Sequence, residues 1–291
     1  MKRLAWAALA FFFLAGSALA RGQTSQQTSP QTSPQTSSSA PWRAPQAPRM
    51  KSAYQADMSQ ARDLMAAKDY DSAIRIYDDL LRQYPDNYTV WNMLGIALQQ
   101  IGQVDAARSA YARATKLNPK FAEAYNNVGT TWYQEQKFGR ALRAYQKSVA
   151  MNPYLASAYS NMGCAYFSEK KYPQALAAFN RAIALDPDVF SLSSYAGSVL
   201  QDRSVSDHGT FYFLLAKSYA ERNDAATCAE YLRKAFDEGY KGVAAVKADP
   251  SFAKVIADPG VQAILDKAQA LENAATKAPP SAPSAPAAPG T

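Results

Sequence analysis

Four prolines, Pro85, Pro119, Pro153 and Pro187, stand 34 residues apart. Other residue types keep the same step. Ala73, Ala107, Ala141 and Ala175 form one row, and Tyr77, Tyr111, Tyr145 and Phe179 a second. Gly95, Gly129 and Gly163 form a third, with Ala61 in its first place; Trp91, Tyr125 and Tyr159 lie four residues before those glycines. Several rows sharing one period of this length mark a stack of helix–turn–helix units. One unit cannot bury its apolar face alone, so the neighbours must cover it.

Each copy reads as two amphipathic helices, for example about 122–135 and 139–151. In the first, Tyr125, Val128, Gly129 and Trp132 share one face; in the second, Ala141, Tyr145 and Ser148 do. The pattern sets Gly129 against Ala141, where two small residues bring helix axes close, and puts the Tyr145 ring in the seam between successive pairs. Asp71, Asp105 and Pro173 stand where a helix start wants a capping oxygen or a first-turn proline. Asn152-Pro153 and Asp186-Pro187 end the second helices, since the residue before proline is pushed out of the α region.

Residues 88–119, YTVWNMLGIALQQIGQVDAARSAYARATKLNP, follow the pattern W-x2-L-G-x2-Y…A-x3-F…P, with Leu98 in place of its third ring. Residues 122–153 and 156–187 follow it too. In these residues the chain resembles the tetratricopeptide repeat family over about 54–187. The resemblance implies an all-α fold, an α-solenoid whose hairpins wind as a right-handed superhelix. It also implies a non-catalytic role, holding a partner protein or peptide in the concave groove.

The expected organisation is four repeats within 51–189 (54–87, 88–121, 122–155 and 156–189), an irregular insert at 190–207, a divergent fifth hairpin at 208–240 and C-terminal capping helices within 241–275. Asp57 and Gln60 stand in the first copy where later copies carry apolar residues, which suits a terminal repeat with a polar outer face. The insert is Ser-rich and reads as an excursion, with a degenerate helix through Ala196-Gly197 as the alternative. In the fifth hairpin Ala216 takes the glycine place and Cys228 an alanine place. Asp249-Pro250 and Asp258-Pro259 each read as an N-cap followed by a first-turn proline, starting helices at 250–257 and 259–274.

Outside the body, Lys2-Arg3, the uncharged run 4–16 and the small-residue site Ala18-Leu19-Ala20 read as an export signal cleaved after Ala20. Its apolar run of 13 residues is short of the roughly 20 needed for a membrane span. The expected product is periplasmic or secreted, with no stable span after cleavage. Residues 21–50 (Gln/Thr/Ser/Pro-rich) and 276–291 (Pro/Ala-rich) read as disordered tails, because such compositions bury too little apolar surface to offset ordering entropy.

The formal charge of +7 is misleading until it is located. All 24 acidic residues lie between Asp57 and Glu272, and 24 of the 31 basic residues lie in the same span. The body is neutral, which argues against nucleic-acid binding. One His and two Cys exclude any mechanism needing two histidines and leave at most three His/Cys ligands for a zinc, and no run of His, Cys and Asp has metal spacing. His208 reads as a loop residue, no phosphate-binding glycine motif is present, and no cofactor is expected. Cys164 and Cys228 point to different faces, which argues against a disulfide between them.

The family resemblance places Thr89, Asn92, Ile96, Gln99 and Gln100 on the concave surface, with Glu123, Asn126, Thr130, Tyr133 and Gln134 in the next copy and Ser157, Ser160, Cys164, Phe167 and Ser168 in the third. Amides there can meet a peptide backbone as donor and acceptor, and Tyr133 and Phe167 read as anchors. Arg62 is the one groove base, too few for a clamp on an acidic tail. The alternatives are a self-assembling envelope component and, last, a polysaccharide-handling or catalytic protein that uses the insert.

Overall fold

The second helices of the second, third and fourth copies share one construction. Asn118, Asn152 and Asp186 leave the helix in extended conformation, and each side chain accepts a hydrogen bond from the backbone N–H two residues on. The proline between cannot continue a helix, so the chain turns and starts the next hairpin.

The computed structural model describes residues 47–190 and 207–277. These belong to one unit, Gln46–Thr291; a second unit, Met1–Pro45, lies outside the described residues. So do residues 1–20, expected to be an export signal, nearly all of the expected insert and most of both expected tails. Among the described residues there are helices and no strands.

The order is α1 Ala47–Ala66, α2 Tyr70–Gln83, α3 Tyr88–Gln100, α4 Val104–Leu117, α5 Ala122–Gln134, α6 Phe138–Met151, α7 Ala156–Ser168 and α8 Tyr172–Leu185. After the insert come α9 His208–Glu221, α10 Ala225–Asp237, α11 Val243–Ala248, a 3-10 turn at Pro250–Phe252 and α12 Pro259–Lys277. Consecutive helices pair as hairpins, and each second helix packs on the next first helix. This is an α-solenoid. Val243, Val246, Phe252, Val255, Val261 and Leu265 are buried and close its far end.

Several boundaries differ from expectation. α1 starts at Ala47, inside the span read as a tail, because Pro48 suits a first turn. The capping oxygen of α2 comes from Asp69, which accepts from Ser72 N, and not from Asp71. Asp105 likewise lies inside the first turn of α4, whose N-cap is Gln103. Asp249 and Asp258 do cap, but the first of them starts only a 3-10 turn. α11 is an additional helix. His208 opens α9 and does not sit in a loop; Asp207 caps that helix through Thr210 N.

The small-residue seam is built differently from the expected one. A Cβ on Gly129 would lie 2.3 Å from the Tyr145 ring, so the glycine faces that ring and not Ala141. Gly95 and Tyr111, and Gly163 and Phe179, repeat the contact. The ring therefore sits inside its own hairpin, pressed against a glycine in the second to fourth copies, and all four rings of the row are fully buried.

Ring chemistry follows the environment. The Tyr111 hydroxyl donates to Gln99 Oε1 at 2.9 Å. In the first copy the place of Gln99 is taken by Met65, and the buried Tyr77 hydroxyl has no hydrogen-bond partner. Burial pushes its ionisation up. An orphaned buried hydroxyl costs about 1–3 kcal/mol. Tyr77→Phe is therefore expected to raise stability by about 1 kcal/mol, and Tyr111→Phe to lower it by a similar amount. Urea unfolding of both variants checks the pair; a loss at Tyr77 equal to that at Tyr111 would refute it.

Candidate functional site

First helices of successive hairpins touch directly, α3 with α5 and α5 with α7. That contact puts the first helices on the inner side of the stack. The contact is polar. Asn127 Nδ2 donates to Asn92 Oδ1 at 2.9 Å, and Asn161 Nδ2 to Asn126 Oδ1 at 2.9 Å. Gln99 Nε2 donates to Gln134 Oε1 at 3.0 Å and to Thr130 Oγ1 at 3.2 Å. The Tyr133 and Ser168 hydroxyls are 2.9 Å apart. Most of these links join residues 35 apart, so a side chain in one copy meets the neighbour of its own equivalent.

This changes the reading of the inner face. Asn92, Asn126, Thr130, Tyr133, Ser160 and Phe167 are buried, with Tyr133 at 3% and Phe167 at 4% exposure. The two rings do not stand free as anchors. Tyr133 packs on Phe138 at 5.2 Å, and Phe167 on Phe211 at 5.5 Å and Tyr172 at 5.4 Å. Small side chains along the inner row let the helices close up, and the closure covers them. Gln99 is half-buried; Glu123 and Gln134 are exposed. With Thr89, Gln100, Ser157 and Ser168, they are what this face presents to solvent. Asn127 and Asn161 were missed as members of the network. Their signal was the asparagine pair Asn126-Asn127, which places an amide on each side of α5.

The charged neighbourhood lies at the turn between α5 and α6. Glu135 bridges Lys137 and Arg108, and the Lys137 hydrogen bond, followed by that of Arg108, holds its carboxyl below the usual range. Arg108 lies 3.8 Å from the Trp132 ring centroid, with Arg140 at 4.8 Å and Lys137 at 5.2 Å.

His208 stacks on Tyr212 with ring centroids 6.1 Å apart. Neither Cys164 nor Cys228 forms a disulfide; both are buried, and burial pushes the Cys228 thiol up to about 12. Among the described residues no helix is long and apolar enough to cross a membrane.

Residues 64–128 and 156–189 each match a family model described as tetratricopeptide repeat. The chain carries tetratricopeptide repeats. Sixty-two residues are 36% identical to the human Superkiller complex protein 3, covering 21% of this chain and 4% of that protein. Sixty-eight residues are 34% identical to Small glutamine-rich tetratricopeptide repeat-containing protein 2 of Mycosarcoma maydis, covering 23% of this chain and 19% of that one. The chain thus matches only a small part of these relatives' length. Among solved structures, MamA 41-end from Desulfovibrio magneticus RS-1 is 20% identical, with a TM-score of 0.44, over 63% of this chain and 93% of that one. YrrB, a TPR protein with an unusual peptide-binding site, is 18% identical, with a TM-score of 0.42, over 66% of this chain and 89% of that one.

Proposed function

We propose that this tetratricopeptide-repeat chain is an exported, non-catalytic scaffold that holds an extended segment of a partner protein along the inner face of its hairpins. The observation that carries the proposal is the continuous polar row on α3, α5 and α7. Its inner members bond one another through Asn92, Asn127, Asn126 and Asn161, with only Asn161 Oδ1 left without a partner, which fixes the helices. Its outer members, Gln100, Glu123 and Gln134, remain exposed. Primary amides both donate and accept, which matches a peptide backbone. A face already held rigid loses little side-chain entropy when a ligand arrives. Tyr133 and Phe167 support it as packing, not as contacts.

The test is affinity capture with Glu123→Lys and Gln134→Lys together, against the unaltered chain. Both sites are exposed, and the one bond lost, from Gln99 to Gln134, is itself open to solvent, so the thermal midpoint should move little while the captured partner is lost. Unchanged recovery from the double variant would refute the inner face as the binding surface. The leader supports export: the envelope fraction should hold a product beginning at Arg21. A full-length product confined to the cytosol would overturn that part.

A further inference from the structure

A second surface, sharing only Thr89 with the inner face, lies where the α2–α3 loop meets α1. Tyr54, Tyr84, Pro85, Asn87, Tyr88 and Thr89 line a cleft of about 540 Å³, together with Asp86. Its walls are set. The Tyr54 and Tyr84 rings meet edge to face at 5.4 Å, and Tyr88 meets Phe121 at 5.0 Å. Trp91 Nε1 donates to Pro85 O at 2.8 Å, which pins the loop. Asn87 accepts from Thr89 N and Val90 N and donates to the Tyr54 hydroxyl at 3.0 Å. That hydroxyl keeps its own proton for a further acceptor. Tyr88 is 37% exposed. The one charged side chain of the lining, Asp86, is engaged by Arg113.

Uncharged tyrosine clefts with hydroxyl donors suit a polyproline II helix. That helix has about 3 residues per turn and no internal hydrogen bonds, so its prolines stack on rings while its carbonyls seek outside donors. The chain contains such a sequence. Pro280, Pro283, Pro286 and Pro289 fall at every third residue, and no charged side chain occurs from 278 to 291. On a helix with three residues per turn these four prolines share one face. The other proline-rich stretch does not qualify: Pro30, Pro34, Pro41, Pro45 and Pro48 are spaced by 4, 7, 4 and 3.

We propose that the Tyr54–Tyr84–Tyr88 cleft takes residues 279–291 of a second copy as a polyproline II ligand, linking chains end to end. Reach favours a second copy as the source of the tail. The cleft is in the first hairpin, whereas α12 ends at Lys277 beyond the fifth. Fourteen residues extend about 43 Å at about 3.1 Å each, whereas five hairpins of roughly 10 Å each span about 50 Å.

The test titrates a labelled peptide of residues 278–291 into the full chain and follows fluorescence anisotropy. The companion peptide carries Pro280→Ala, Pro283→Ala, Pro286→Ala and Pro289→Ala. It is expected to bind at least about tenfold more weakly, and Tyr88→Ala in the protein to weaken the unaltered peptide by about as much. Sedimentation of the full chain should show concentration-dependent association. The same four alanines placed in its tail, which leave the helical body untouched, should abolish it. Equal binding of the two peptides, indifference to Tyr88→Ala, or association that survives the tail substitutions would each overturn the proposal. Loss of this binding would leave the inner-face reading standing, since that reading is tested at Glu123 and Gln134.

Discussion

Gly163→Ala is expected to cost about 2–3 kcal/mol, and adding Phe179→Leu to restore most of it. Two effects oppose each other at this glycine. On a free helix, alanine would be better than glycine by about 1 kcal/mol. Here the new Cβ would fall 2.3 Å from Phe179 Cε1. The ring cannot swing aside, because Phe190 and Phe211 hold it edge to face at 5.4 and 5.6 Å. The clash therefore outweighs propensity. The fifth hairpin already carries the compensated pair. Ala216 and Leu232 stand sixteen residues apart, as Gly163 and Phe179 do, and both are fully buried. A double-mutant cycle by urea unfolding measures the coupling, which should exceed about 1 kcal/mol in favour of the pair. Gly163→Ala at or above the stability of the unaltered chain would refute the seam.

The glycine row and the ring row were each legible in the sequence because sterics dictate residue type, but their pairing was not: the pattern sets Gly129 against Ala141, and it meets Tyr145 instead. A fully buried ring pressed against a helix backbone leaves no room for a larger residue, and the period exposes that rule. The turns inside the hairpins were not legible. Each closes with a left-handed residue, Lys68, Gly102, Gln136, Lys170 or Asn223, and only one of these is glycine. The turn is imposed by closure: Asp69 N bonds Leu64 O, Gln103 N bonds Leu98 O, Lys137 N bonds Trp132 O and Lys171 N bonds Tyr166 O. The paired backbone bonds offset a conformational cost of about 1–2 kcal/mol. α11 was missed for a related reason. Its first N–H groups are met by Glu272 Oε1, thirty residues away from Gly242, so no local cap announces the helix. The inner face was misread because a row at steps of 34 looks like open surface when each hairpin is considered alone. The contacts that cover it run at steps of 35, a register that only the stacked structure reveals.

Arg108→Ala is expected to split the unfolding of the solenoid into two steps. The apolar packing thins at one junction of the stack, where the buried hydrophobic residues are Tyr111 and the alanines Ala107, Ala114, Ala122 and Ala124. One buried cluster runs from Met58 to Ala110, and the other begins at Tyr133. Between them the second and third hairpins are joined by a polar latch. Arg108 Nε donates to Thr131 Oγ1 at 3.1 Å, its Nη atoms bond Asp105 and Glu135, and its plane lies 3.8 Å over Trp132. With only 18% of its side chain exposed, this guanidinium is largely out of water, so both the stacking and the ion pair count for more than on an open surface. Their loss should cost about 2–3 kcal/mol, concentrated at one interface. In a solenoid, stability is a sum of hairpin and nearest-neighbour terms, so weakening one interface divides the stack there. Hydrogen exchange resolved by segment should then show amides of α1–α4 opening at lower free energy than those of α5–α10, while in the unaltered chain the two sets open together. Arg108→Lys keeps the charge without the planar fork or the stacking, and should recover less than half of the loss. Acid should have the same effect as the alanine. The folded-state pKa of Glu135 lies below its ordinary value of 4.5, so its contribution is complete above that pH and is lost as the pH falls through the lowered value. The unaltered chain should therefore begin to divide at this interface under acid, and Arg108→Ala should respond less to the same change. Coincident opening of α1–α4 and α5–α10 in the variant would show that the apolar contacts alone hold the two halves together.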